Sequence, residues 1–276
     1  MLNTLRISTS GYYHFKKRSD SKQAIKRRKI KAAIQQAYDD SYQIYGAPKI
    51  TEILQRQGFS VCPRTVRVYM KQMGVKAHYR KKATQTTISV GFNTKLKNVL
   101  NRQFNPSEPN SVWVSDITYI WSEQGFVYLT SIMDLYSRKI LAWELTESLS
   151  VEGVVACVNK AKITRATEKP VLLHTDRGVQ YTSNGYYHAL GDLIHPSYSR
   201  KGNPWDNAPI ESFHALIKRE WLSRYKFRNI RDVRNAVFEY IEIFYNNQRI
   251  HGSIDYLSPK QFEVVYYQSK QQFLYV

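Results

Sequence analysis

The chain has 276 residues, 42% of them hydrophobic and 13% aromatic, which is enough apolar material for one large domain and one or two small ones. Two cysteines, Cys62 and Cys157, exclude a disulfide framework and a four-cysteine zinc site. No uninterrupted apolar run approaches the ~18 residues of a membrane span, and residues 1–10 lack the apolar core of a secretory signal, so no membrane partner and a cytoplasmic, reducing home are expected.

The formal net charge of +19 is unevenly spread. Residues 1–105 hold 22 Lys and Arg against 4 Asp and Glu, leaving 19 against 18 for residues 106–276. A concentrated positive field attracts polyanions and releases their counterions, so the basic third points to nucleic acid. Residues 1–40 carry the run Lys26, Arg27, Arg28, Lys29 and Lys31. Ile25, Ile30, Ala33, Ile34 and Ala37 recur among them, which predicts a helical segment with a cationic side.

Residues 41–80 read as a helix-turn-helix. Pro48 suits a first helical turn, with Ile50, Ile53 and Leu54 as the apolar stripe. Gly58 breaks that helix, Pro63 starts the next and Gly74 ends it. Arg64, Arg67 and Lys71 share one outward face of the second helix and are the expected DNA contacts. Residues 81–108 are polar and basic and close on Pro106 and Pro109, which marks a linker.

Residues 109–228 change character. Val112–Ile120, Val127–Ile132 and Ile140–Leu145 are dense in β-branched and aromatic residues, and short connections make them an antiparallel meander. A helix opening near Ser150 follows, then a buried strand over Pro170–Asp176, a helix over Thr182–Leu193 and a short strand over His195–Ser199. Asn207 can cap the next helix, and residues 229–276 begin with a helix over 231–247. That order makes an α/β domain.

Three carboxylates stand in informative places. Asp116 lies mid-strand, where a charge is costly unless paired or metal-bound. Asp176 follows the buried strand Val171-Leu172-Leu173, at the kind of strand end where α/β sites gather. Glu211 opens a helix after Gly202-Asn203-Pro204-Trp205-Asp206-Asn207-Ala208-Pro209. Asp134 reads instead as a turn residue and Asp206 as a helix cap. Mg²⁺ prefers oxygen ligands, and phosphodiester chemistry commonly uses two such ions. Each carboxylate taken singly has a purely structural alternative: a salt-bridged core residue, a turn cap or a helix-terminal charge.

The segments Trp113–Tyr119 around Asp116, His174-Thr175-Asp176-Arg177-Gly178-Val179-Gln180-Tyr181, and Ser199–Phe213 around Glu211 resemble the second-frame (OrfB) proteins of IS-three-type insertion sequences. These belong to the DDE transposase and retroviral-integrase superfamily. Further similarity covers Ser10–Tyr13, Tyr45–Pro48, Phe244–Gly252 and Leu257–Pro259. The resemblance implies a ribonuclease-H-like core, a mixed five-stranded sheet flanked by helices, behind an all-α helix-turn-helix region. It also implies catalytic, metal-holding roles for Asp116, Asp176 and Glu211, with two Mg²⁺ ions that Mn²⁺ can replace.

Asp176 and Glu211 stand 35 positions apart (211 − 176), one fewer than the resemblance suggests, and the shortfall is expected near Gly191-Asp192-Leu193-Ile194. Lys218, seven positions after Glu211, is expected to contact substrate phosphate, and Arg200 and Lys201 to meet DNA beside the site. Implied partners are the inverted-repeat ends of the transposon, target DNA, further copies of the chain and the product of an upstream frame; nucleoid association follows. A DNA-binding regulator or decayed copy without catalysis, and a nuclease that cuts without joining, remain alternatives at the level of sequence.

Overall fold

The structure is a computed structural model that describes residues 8–17, 19–78 and 96–272. It divides into two compact units, one within residues 1–78 and one within 79–276. Most of the expected linker, residues 81–95, lies outside the described residues.

The first unit is helical: α1 (Thr9–Lys16), α2 (Lys22–Asp40), α3 (Ala47–Arg56) and α4 (Pro63–Gln72). Helix α2 is opened by Ser21, whose hydroxyl accepts from the Ala24 N–H. Its Ile30, Ile34, Ala37 and Tyr38 are buried beside Ile50 and Leu54 of α3 and Val66 and Met70 of α4. Those side chains recur at three- and four-residue steps, so each helix offers one apolar stripe and three stripes close a small core. Gly58, at φ +85°, turns the chain after α3, and Gly74, at φ +69°, after α4. Arg64, Arg67 and Lys71 stand exposed on α4.

The second unit is built on one five-stranded sheet in the order β3-β2-β1-β4-β5. Strands β1 (Val112–Ser122), β2 (Gly125–Asp134) and β3 (Ile140–Thr146) form the antiparallel meander. Helix α5 (Val151–Arg165) then carries the chain across to β4 (Val171–Thr175), which runs parallel to β1. A 3-10 turn, Val179–Thr182, and α6 (Asn184–Leu190) lead to β5 (Ile194–Tyr198), parallel to β4. One face of the sheet packs Trp113 and Ile132 against Val154, Cys157, Val158 and Ala161 of α5 and Tyr186 and Leu190 of α6. Helix α7 (Ala208–Glu220) lies against β1 and β2, its Ile210, Phe213 and Ile217 buried.

Helix α8 (Ile230–Phe238) continues into a π-helical turn, Glu239–Tyr245, where a regular helix was expected. Its Tyr240, Phe244 and Tyr245 pack around Trp221 and Phe213. The last element among the described residues is α9 (Pro259–Gln272), whose Glu263 accepts from Arg165 of α5, Lys139 and Ser137.

Residues 96–104 depart from the linker reading. They lie along β5 as a strap: the Ser197 hydroxyl accepts the Val99 and Leu100 N–H groups at 3.0 and 3.1 Å, and Leu100 is buried. Asp206 is not a helix cap. Its buried carboxylate accepts from Asn98 at 2.9 Å, from Arg102 Nε at 2.7 Å, and from the Arg200 N–H, Nε and Nη2 at 2.9, 2.8 and 2.8 Å. Asn207 occupies the N-cap position of α7 without a capping bond; its Nδ2 donates to the Ser115 carbonyl of β1 at 3.0 Å.

The Arg200 hydrogen bonds, foremost, hold the Asp206 carboxyl well below its ordinary pKa, against the opposing effect of burial. A depressed carboxylate stabilises the fold above its unfolded value near 3.8 and loses that contribution as pH falls further. Acid unfolding of Asp206→Asn is therefore expected to depend less steeply on pH below about 4 than wild type, followed by circular dichroism. Equal slopes would show that Asp206 does not contribute this way.

Candidate active site

The pairing of β1 with β4 positions the first two carboxylates. Val112, Trp113 and Val114 stand opposite Leu172, Leu173 and His174. Carried two residues beyond its last paired position, the same register brings Asp176, just past the end of β4, level with Asp116. Strands lie roughly 4.8 Å apart and side chains repeat every second residue, so both acids leave on one side of the sheet at neighbouring strands.

Their electrostatics agree with that placement. Asp176 is exposed at the residue level, yet lost hydration of its carboxyl, then the charge of Asp116, pushes its pKa up to about 6. The Gly178 N–H works the other way, donating to Asp176 Oδ1 at 2.9 Å. A Cβ at residue 178 would sit 3.1 Å from that oxygen, so glycine permits the tight return of the loop.

Helix α7 supplies the third acid. Glu211 lies in its first turn and is exposed. One turn on, His214 Nδ1 stands 3.3 Å from Asp116 Oδ2, and its Nε2 meets the Ser131 hydroxyl at 3.3 Å. Ser131 is the β2 partner of Asp116, so His214 bridges the two strands at the level of the acid. Asn207 before Glu211 and His214 after it thus fix the start of α7 to β1 around Asp116.

The third acid does not complete a cluster. Among the described residues, no three acidic, histidine or cysteine side chains form a group able to hold a metal ion. Asp116 disfavours the charge of Asp176, and each aspartate has a protein neighbour, His214 Nδ1 at 3.3 Å from Asp116 and the Gly178 N–H bonded to Asp176.

The remaining expected residues divide. Lys218 lies half-buried on α7, its Nζ 4.5 Å from the centre of the Tyr119 ring. Burial lowers its pKa while the charge of Asp116 raises it, which places this cation within the field of the site. Arg200 spends its guanidinium on Asp206 and so serves first to hold the loop before α7. Lys201 is exposed beside it. In the stretch where the shortfall was expected, Gly191 adopts φ +64°, and β5 pairs with β4 over all five of its residues.

Several contributors escaped the sequence reading. His214 was legible as a residue three positions after Glu211 on the same helical face. Tyr181, whose hydroxyl bonds Ser115 Oγ at 2.9 Å, and Arg177, whose Nε donates to the Ser199 carbonyl at 2.7 Å, brace the two loops beside the acids. His174 is buried between Ser197 and Ser199 at 2.8 and 3.1 Å, and burial pushes its pKa down to about 4, so it serves as a neutral hydrogen-bonding strut between β4 and β5.

Comparison with known proteins adds the lineage. Two family models described as integrase core domain match residues 106–204 and 193–259, and one described as HTH-like domain matches residues 25–83. The transposase for insertion sequence element IS904 of Lactococcus lactis is 34% identical over 255 residues, covering 89% of this chain and 98% of that protein. The chain belongs to the IS-three-type insertion-sequence transposases.

Transposase InsF of insertion sequence IS3A from Escherichia coli is 32% identical to this transposase over 95% of the chain and 92% of its own length. Among solved structures, a simian T-cell lymphotropic virus intasome in complex with PP2A regulatory subunit B56 gamma overlaps 83% of the transposase and 74% of its own chain, at 15% identity and a TM-score of 0.48. The expected classification as a DDE-type transposase, with an integrase core behind an HTH-like domain, stands on the sequence relatives and family models.

Proposed function

We propose that Asp116, Asp176 and Glu211 are the catalytic carboxylates with which this transposase cuts DNA at insertion-sequence ends and joins the freed 3′ ends to target DNA. The observation that carries this reading is the β1–β4 pairing, which brings Asp176 beside Asp116 so that the charge of one bears on the other, with His214 of α7 3.3 Å from Asp116. Two acids in register, the charge of one disfavouring that of the other, make a hard-oxygen donor pair suited to Mg²⁺ or Mn²⁺. The same three residues would hold the metal, with Glu211 completing the set from the first turn of α7.

Bound there, a pair of such cations supplies charge stabilisation to the attacking and leaving oxygens of an in-line displacement. The chain's own groups do the positioning. His214 stands 3.3 Å from Asp116 on the α7 side, and the Gly178 N–H orients Asp176. Lys218 offers a positive charge for a substrate phosphate, and Lys201 another on the loop before α7. Arg64, Arg67 and Lys71 grip duplex DNA through the exposed side of α4. The DNA partners are the inverted-repeat ends and the target, and copies of the chain work together on paired ends.

The test is an oligonucleotide cleavage and strand-transfer assay with Mg²⁺ or Mn²⁺. Asp116→Asn and Glu211→Gln are each expected to lower both activities by on the order of 10³-fold while the chain still binds DNA. Undiminished cleavage by both variants would remove these residues from the chemistry.

A further inference from the structure

Beyond Asp116, β1 outruns its parallel neighbour. The β1–β4 pairing ends at Val114, whereas the β1–β2 pairing continues to Ser122. Along this projecting hairpin Thr118, Ile120 and Ser122 are buried, while Tyr119 and Trp121 between them are exposed. Across the hairpin, Phe126 stands opposite Trp121 and Tyr128 opposite Tyr119. Trp121 is 62% exposed and Phe126 47%, so their apolar faces meet water. The rings contact one another edge to face, Trp121 with Phe126 at 4.9 Å and Tyr119 with Phe126 at 5.3 Å. Edge-to-face contact is a favoured arrangement of aromatic pairs.

Cations border this aromatic surface. Lys218 lies over Tyr119. The Phe227 carbonyl accepts the Glu123 N–H at 2.9 Å, bringing the segment with exposed Lys226 and Arg228 to the hairpin tip. Glu123 is the only acid between residues 119 and 128. Exposed rings edged by cations are the two elements by which proteins hold unpaired nucleic acid, the rings taking bases and the cations tracking phosphates. A second copy of the chain would account for the apolar rings but not for the cations. Tyr119 lies three residues from Asp116, roughly 10 Å along the strand at ~3.3 Å per residue and on the other face by the alternation of side chains, and Lys218, which lies over the Tyr119 ring and within the field of Asp116, links the rings to the acid.

We propose that the β1–β2 hairpin is a stacking platform for unpaired nucleobases of the DNA substrate, formed by Tyr119, Trp121 and Phe126 beside the reacting phosphate. The position relative to that phosphate rests on the assignment of Asp116 to the active site; the affinity for unpaired bases does not. Strand ends that open at the site gain a binding surface there, and duplex that stays closed does not.

The experiment uses the full chain carrying Asp116→Asn and Asp176→Asn, so that bound DNA stays intact. Binding is measured by fluorescence anisotropy on a fluorescein-labelled blunt duplex and on the same duplex ending in an unpaired thymine arm. Adding Trp121→Ala with Phe126→Ala is expected to weaken binding of the forked DNA about 10- to 100-fold and to leave the blunt duplex unchanged. Trp121→Phe, which keeps a ring, is expected to retain most of the preference and guards against misfolding as the cause. Equal losses on both DNAs, or no loss on either, overturns the platform. Sedimentation showing that the double variant falls from oligomer to monomer at unaltered fork affinity assigns the rings to a second copy instead. Because the carboxylates are already neutralised, a failure here leaves the oligonucleotide cleavage test of Asp116 and Glu211 standing.

Discussion

Asp176→Asn is expected to lower DNA cleavage and joining by on the order of 10³-fold or more, yet to make the metal-free chain more stable than wild type at neutral pH. The two effects share one cause. Thin hydration and the adjacent Asp116 raise the Asp176 pKa from 3.8 to about 6, so the folded chain resists the charge that the reaction needs. The folded state binds the additional proton between those values, which means that stability rises as pH falls from about 6 toward 4 and that the full cost is present at pH 7. Because Asp176 meets solvent, screening reduces that cost to roughly 1 kcal/mol, or about 2–4 °C in Tm. Thermal melts with chelator at pH 7 and pH 4.5 check both sign and window: the advantage of Asp176→Asn should shrink at the lower pH. A variant less stable than wild type at pH 7 would mean that the Asp116–Asp176 repulsion is not what sets the balance. Added Mg²⁺ should raise the Tm of wild type more than that of the variant.

The largest expected loss of stability comes from Arg249→Ala. Arg249 and Glu220 are both buried, and the guanidinium meets the carboxylate through two hydrogen bonds, Nε to Oε2 at 2.8 Å and Nη2 to Oε1 at 2.7 Å. The Tyr240 hydroxyl donates to the same Oε2 at 2.8 Å. Truncating the arginine leaves a buried carboxylate without its cation, which costs about 3–5 kcal/mol, a fall in Tm on the order of 10 °C. Replacing both partners together, Glu220→Leu with Arg249→Met, should recover much of the loss, since the desolvation cost goes with the charges. Calorimetry of the single and double variants decides the matter; a Tm within about 2 °C of wild type for Arg249→Ala would show that the pair is not needed. This pair closes the distal end of α7 against the segment after α8, so it also steadies the helix that carries Glu211.

The legible parts of the molecule were those governed by neighbouring residues. The β-branched and aromatic runs of 112–120, 127–132 and 140–145 gave the meander, because the pleat rewards those side chains locally. Pro63 and Gly74 bounded α4 for equally local reasons. The order of elements and the positions of Asp116 and Asp176 were legible for the same reason, although their opposition needs the 60-residue offset that the β1–β4 pairing sets. The hidden parts depend on partners distant in sequence. Asp206 resembles a cap because it precedes a helix, but Arg102, 104 positions earlier, claims its carboxylate. Asn207 stands where a cap belongs and is drawn away by the Ser115 carbonyl. The π-helical turn after α8 packs its rings against Trp221, a contact that no window of the sequence displays.

The strap of residues 96–104 alters where the catalytic body begins. A fragment started at residue 106, where the first integrase-core family model begins, would lack Asn98 and Arg102 and leave Asp206 with Arg200 alone among its side-chain partners named above. It would also strip the Ser197 hydroxyl of the two backbone N–H groups it receives. Since Arg177 Nη2 reaches the Leu96 carbonyl at 3.2 Å, the amputation would loosen the turn behind Asp176 and the loop ahead of Glu211 together. The packed core therefore starts upstream of its first strand, and the nine residues of the strap brace both loops that flank the proposed acid site.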